Sequence, residues 1–399
     1  MTRPFRRRVL YIPGYDPIPP RRYRELYKRE GADQARISGY ELTFGARRDR
    51  TGFGWGVSSD IKGLQAESEI EVLVWADIVA GSMGQSILAT YGQLARTAWA
   101  YIGTGALFRL MRLRRGPVLA ALYPVVVLLA QLALALAAGA MLGWLLAWVT
   151  GFGLWIALPV LVAVTWTGLH LWRRIDGRIF AYYLMHDYAF TARDKGAYPP
   201  ALETRLAQFS DRIATVLAAD WDEVLVVGHS SGAYLGVSVL ADLIRSGRVP
   251  QAGPRLAFLS LGQVVPMASY LPRANRLRAD LRYLSTRDEL DWIDVTAPGD
   301  ACSFGLCDPV AVSGVAPAQQ RHPLILSAAF TQTLSPQKQR ELRGRWFRLH
   351  FQYLCAFDRP GDYDYFAITA GPLPLGERFA GRQHSPARIT RAANSFIAT

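Results

Sequence analysis

With 399 residues, 51% hydrophobic and 12% aromatic, the chain is too apolar to be disordered and long enough for one large domain or two ordinary ones. Only 19% of residues are charged, below the roughly 25% of soluble domains, which points to apolar surface that meets lipid. The formal net charge is +13, and four of the 45 basic residues are lysine; such a balance attracts anionic lipid, but no nucleic-acid motif or concentrated basic helix accompanies it.

The chain starts MTRPFRRR, and no apolar run of the kind a secretory signal needs stands behind this basic stretch. Val9–Ile12 reads as a strand that ends at Pro13-Gly14. Ile37–Phe44, Gly54–Ser58 and Glu71–Ala76 read as further short strands. Ser82–Leu113 is weakly amphipathic, with Trp99, Tyr101 and Phe108 among arginines. It suits either the headgroup level of a membrane or packing on a soluble core.

From Gly116 to Trp172 there is no Asp, Glu, Lys or Arg over 57 residues. One span takes about 20 apolar residues, so this length predicts two. Pro117–Leu142 and Phe152–Trp172 are the expected spans, with the turn within Gly143–Gly153. Arg109, Arg112, Arg114 and Arg115 precede the pair, Arg173, Arg174 and Arg178 follow it, and the turn has no positive charge. Positive-inside bias then predicts a two-span protein of the cell inner membrane with both termini cytoplasmic. The expected organisation is residues 1–115, a membrane hairpin over 116–172, and residues 173–399.

Ala201–Ala219 has helical spacing, and Glu223–Val227 (EVLVV) is an apolar strand. Ala233–Ser246 is helical again, and Leu256–Leu261 and Trp292–Thr296 are further strands. Apolar strands alternating with helices predict an α/β fold with a mostly parallel sheet covered on both faces. Between the strand at 223–227 and the next helix stands Gly228-His229-Ser230-Ser231-Gly232. This is G-x-S-x-G in strand–turn–helix context, where small residues let a nucleophile sit on a sharp turn. The register selects Ser230, because Ser231 would need glycine at positions held by His229 and Ala233.

On these residues the chain resembles the α/β-hydrolase superfamily, with a lipase- or esterase-like nucleophile elbow at Gly228, His229 and Gly232. The resemblance extends to Val9–Asp16, which looks like the strand and oxyanion loop of that family. It implies that the N–H groups of Gly14, Tyr15 and Ser231 receive the developing oxyanion. It also implies the chain order serine, acid, histidine. Asp300, in the turn after the strand at 292–296, is the expected acid, with Asp294 and Asp308 as alternatives. Of the later histidines, His350 lies in the aromatic setting FRLHFQY and is the expected base; His322 is the alternative, and His384 lies in a polar tail. The Asp362–Phe366 run is expected to pack in the core.

The hairpin is inserted after a strand at the sheet edge where ligands bind in open α/β sheets, so the catalytic mouth is expected to face the bilayer. The function implied is a serine hydrolase that cleaves carboxylic esters, lipid esters among them, through a Ser-His-Asp triad and an acyl-enzyme. Its partners would be the ester substrate and membrane lipids, without nucleic acid, metal or organic cofactor. Cys302, Cys307 and Cys355 have neither disulfide-framework nor zinc-site spacing. Thioesterase, amidase or acyltransferase chemistry would use the same parts, and a catalytically inactive membrane interaction protein is the alternative outside enzymes.

Overall fold

A computed structural model describes residues 3–49, 51–84 and 86–399. Among these, eight strands form one sheet: β1 (Phe5–Ile12), β2 (Glu41–Gly45), β3 (Phe53–Ile61), β4 (Leu64–Val72), β5 (Glu223–His229), β6 (Arg255–Leu261), β7 (Leu290–Thr296) and β8 (Leu324–Ser327). Their spatial order is β2-β3-β4-β1-β5-β6-β7-β8. The six strands from β4 to β8 in that order are parallel, and β3 runs antiparallel to β2 and β4. The fold is therefore α/β with a mostly parallel sheet.

Ten helices lie between β1 and β6: α1 (Arg21–Ser38), α2 (Ala76–Met83), α3 (Ile87–Gly103), α4 (Ala106–Leu113), α5 (Arg115–Thr150), α6 (Leu154–Arg174), α7 (Asp176–Ile179), α8 (Ala181–Arg193), α9 (Pro200–Leu217) and α10 (Ser231–Arg245). β5 shows why its sequence is apolar without alternation. Val224 and Val226 face a core built with Leu206 of α9 and Leu235 of α10. Leu225 and Val227 face a second core with Tyr23 of α1, Tyr353 and Phe366. Both faces of the sheet are covered, so every position on the strand is apolar.

Several boundaries differ from the sequence reading. The expected strand Glu71–Ala76 is instead β4, ending at Val72, and Ala76 opens α2. The acidic residues that hid β4 have partners: Arg8 is fully buried and binds Glu69 and Glu71, and Arg47 binds Glu71 at 2.9 Å. The expected strand Ile37–Phe44 begins inside α1, which ends at the left-handed Gly39 (φ 70°). Arg7 of the basic start is also fully buried, joining Glu223 and the carbonyls of Gly371 and Leu373. Removing one member of such a buried pair is strongly destabilising.

The central apolar segment forms two long antiparallel helices, α5 and α6. The turn is Gly151-Phe152-Gly153, with Gly151 and Gly153 at positive φ, at the end of the expected stretch Gly143–Gly153, whose earlier residues continue α5. Gly143 is a packing glycine: a Cβ there would lie 2.7 Å from the Ala157 carbonyl oxygen, and one at Gly139 would lie 2.8 Å from that of Leu161. Small residues four apart let two apolar helices approach closely. Beyond the first half of α5, which packs on the domain, most of the hairpin is exposed. Only 22% of the most apolar 18-residue window of α5 and 6% of that of α6 is buried. Trp144, Trp148 and Trp155 all face outward. A hairpin in a soluble core would be covered, and this one is not.

The root of the hairpin meets the α/β domain. A Cβ at Gly116 would touch the Cα of Ala301 at 3.5 Å. The Tyr123 hydroxyl donates to the Ile179 carbonyl at 2.8 Å, and its ring meets Trp346 edge-on at 6.3 Å.

Candidate active site

β5 delivers the chain to Ser230, whose backbone takes φ 57° and ψ −120° before α10 begins. A non-glycine residue held there stores roughly 1–3 kcal/mol of strain, and its surroundings fix it. The Ser230 N–H donates to the Leu261 carbonyl at 2.9 Å. A Cβ on Gly228 would lie 2.5 Å from the Gly232 carbonyl oxygen, and one on Gly232 would lie 2.1 Å from that of Ile12. No side chain fits at either position. The two glycines are thus the steric condition for a seryl side chain raised at the carboxyl end of β5.

The loop after β1 lies against this turn, since Ile12 is in register with Gly228. A Cβ on Gly14 would come within 3.0 Å of Ser230 Cβ, so the loop backbone lies against Ser230. Trp75 Nε1 donates to the Pro13 carbonyl at 2.9 Å, and the Tyr183 hydroxyl donates to that of Tyr15 at 2.6 Å. Both bonds occupy carbonyls of the loop and fix its course. Among the described residues the N–H groups of Tyr15 and Ser231 have no protein acceptor. Ser231 opens α10, whose first N–H groups lack intrahelical partners and attract negative charge.

Asp300 follows β7 in a turn, and His350 closes the short helix Trp346–His350. His350 Nδ1 is 2.7 Å from Asp300 Oδ2, and both residues are buried. The carboxylate also accepts from the Tyr353 hydroxyl at 3.0 Å and the Cys302 N–H at 2.9 Å. Burial raises the Asp300 pKa, but the charge of His350 and these hydrogen bonds win, and it stands below the ordinary aspartate value. With Nδ1–H donated to Asp300, the lone pair of His350 lies on Nε2. The imidazole sits beside the elbow: a Cβ on Gly262, the residue after β6, would lie 3.1 Å from His350 Cε1. Among the described residues, no hydrogen bond joins Ser230 Oγ to an imidazole.

His229 braces the base from behind. Its Nε2 is 3.0 Å from the His350 carbonyl oxygen, an acceptor only, so Nε2 carries the proton. Burial and the nearby His350 push its pKa down to about 3, which keeps the ring neutral. Asp187 of α8, not singled out in the sequence, is half-buried with no hydrogen-bond partner among the described residues. It is near enough to His350 to feel its charge, and burial pushes its pKa up to about 7. Nothing in the sequence pointed to it, because Asp187 lies 43 residues ahead of Ser230.

The alternative residues lie elsewhere. Asp294 is inside β7, where its Oδ1 accepts from the Ser260 hydroxyl at 2.6 Å. Asp308 caps the helix Pro309–Val312. His322 precedes β8, at the opposite end of the parallel strands from Ser230. His384 accepts the Ile325 N–H at 3.1 Å on the edge strand. Of the Asp362–Phe366 run, Tyr363, Tyr365 and Phe366 pack in the core while Asp362 is exposed and pairs with Arg382, and Tyr363 donates to the Tyr353 carbonyl at 2.6 Å, holding the segment that follows His350. No cluster of three metal-ligating side chains occurs among the described residues. Compared with protein-family models, curated proteins and solved structures, the chain gives no match.

Proposed function

We propose that this protein is a membrane-anchored serine hydrolase of the α/β-hydrolase type that cleaves carboxylic esters. The observation that carries the reading is the 2.7 Å contact between His350 and Asp300 beside a seryl residue held at positive φ between two obligatory glycines. Ser230 Oγ attacks the ester carbonyl and gives its proton to His350 Nε2. Asp300 holds the ring and balances the imidazolium. The tetrahedral oxyanion lies between the N–H groups of Tyr15 and Ser231, with Gly14 leaving room beside them. His350 then returns the proton to the departing alkoxide, and water cleaves the acyl-enzyme by the same route.

The bare apolar surface of α5 and α6 supports two membrane spans, and the arginines at both roots support a cytoplasmic hydrolase domain. The closeness of Gly116 to Ala301, next to Asp300, supports spans rooted beside the proposed acid. That placement favours esters drawn from the bilayer.

A fluorophosphonate probe tests the chemistry. Labelling is expected in the wild type and in His322→Ala, to vanish in Ser230→Ala, and to fall by at least ~100-fold in His350→Ala. A second reading, a catalytically silent interaction protein of this fold, draws on the missing hydrogen bond between Ser230 Oγ and an imidazole. Equal labelling of wild type and Ser230→Ala, or none of either, favours it.

A further inference from the structure

Between α2, α3 and α8 lies a cavity of about 340 Å³, within the ~300–1,000 Å³ of small-ligand sites. Gln93, Arg96 and Thr97 reach it from one face of α3, and His186 and Arg193 from one face of α8. Among the described residues no Asp or Glu lines it. Neither arginine has a carboxylate within hydrogen-bond distance there. Arg96 Nε donates to the Gly92 carbonyl at 3.3 Å, and Arg193 Nε lies 4.0 Å from Asp194 Oδ2.

His186 is the buried member of the set, with 6% of its surface exposed. Its Nδ1 is 2.8 Å from Gln93 Oε1, an acceptor, so Nδ1 carries a proton. His186 Nε2, the Gln93 amide nitrogen and the buried Thr97 hydroxyl then have no hydrogen-bond partner among the described residues. Buried polar side chains ordinarily find partners. Here two guanidinium groups, an amide, a hydroxyl and an imidazole edge surround one space that holds no anionic side chain.

The height of the cavity along the hairpin points to the ligand. α5 and α6 pair Gly143 with Ala157, Gly139 with Leu161 and Ala135 with Thr165. The same step of four, carried on, sets Arg173 at the end of α6 near Val127. Beside Val127, Leu128 packs on Leu94, and its carbonyl accepts from the Tyr91 hydroxyl at 2.9 Å. Gln93 therefore lies at the level of Arg173 and Arg174, which on the membrane reading is the level of the cytoplasmic headgroups.

We propose that this cavity binds a phosphoryl group, either that of a phospholipid headgroup or that of free phosphate. Guanidinium forks match phosphate oxygens two at a time, and Thr97 and the Gln93 amide add neutral donors. The site makes no use of Ser230 and is independent of the hydrolase reading.

The full chain is purified in dodecyl maltoside, a detergent without phosphate. Native mass spectrometry then reads its complexes with dioleoyl phosphatidylglycerol, dioleoylglycerol or inorganic phosphate. The wild type is expected to retain phosphatidylglycerol about tenfold or more over dioleoylglycerol, and Arg96→Gln/Arg193→Gln to lose that preference. Arg36→Gln/Arg48→Gln, which removes the same charge from exposed arginines elsewhere, should keep it. Phosphatidylglycerol retention without binding of inorganic phosphate assigns the site to headgroups. Inorganic phosphate bound by the wild type and lost in Arg96→Gln/Arg193→Gln, with no lipid preference, assigns it to free phosphate. Equal retention of the two lipids with no phosphate bound, or equal losses in the two double variants, overturns the proposal.

Discussion

Asp294 shows how a single buried side chain ties stability to pH. It sits inside β7 with one oxygen on Ser260 and the other without a partner, and burial pushes its pKa from 3.8 up to about 8. The folded protein keeps a proton that the unfolded chain has released, so stability falls as pH climbs from about 4 to about 8. Asp294→Asn is expected to flatten this slope, measured as the thermal midpoint between about pH 5 and about pH 8; parallel curves for the two proteins would refute it. Asp187 links pH to rate. In the proposed mechanism its charge, gained as it ionises near pH 7, attracts the imidazolium formed on His350 during attack. The expected pH profile of kcat/KM rises through about pH 7, and Asp187→Asn removes that inflection. Sterics give a third test: Gly232→Ala is expected to lose about 1–3 kcal/mol or more in urea unfolding. Gly299→Ala, whose Cβ would meet nothing within 4 Å, should stay within about 0.5 kcal/mol.

Among the elements, the hairpin illustrates how one residue type has two uses. Gly151 and Gly153 take backbone conformations that a side chain resists, while Gly139 and Gly143 lie inside α5 and are needed for contact with α6. Apolar residues surround the glycines in both places, so the sequence bounds the turn to Gly143–Gly153 without separating the turn glycines from the packing glycines. Gly143→Leu is expected to drive the helices apart. Double electron–electron resonance between spin labels on Trp144→Cys and Leu154→Cys should report a distance increase of a few ångströms, and an unchanged distance would show that the glycine contact is dispensable. At β4 the difficulty was electrostatic. Glu67, Glu69 and Glu71 look like a solvated segment, and only the arginines brought to them by other elements make that strand stable in the sheet.

At the scale of the molecule, the edge that carries Ser230, His350 and Asp300 and the root of the apolar hairpin are one assembly. α5 rests on the acid turn, Tyr123 meets the helix that bears His350, and α8 covers the oxyanion loop through Tyr183. A two-span arrangement has a topological consequence. With Cys302, Cys307 and Cys355 changed to alanine, a cysteine at Phe152 should react with an impermeant maleimide in intact cells, and one at Asp220 only after lysis. Labelling of both positions, or of neither, in intact cells would contradict the arrangement.

Local chemistry fixed much of this in the chain itself. Fifty-seven residues without a charge predict two apolar helices, β5 and the following helix frame Ser230, and the glycines at 228 and 232 predict the elbow. These signals are legible because each depends on neighbours within a few residues. His350 and Asp300 are 50 residues apart and meet only when β7 and the C-terminal segment pack together, which separated His350 from His322 and Asp300 from Asp294 and Asp308. The supporting groups, Trp75 on Pro13, Tyr183 on Tyr15, Tyr353 on Asp300 and His229 behind His350, were likewise decided by tertiary structure, because a hydrogen bond across the fold leaves no period in the sequence.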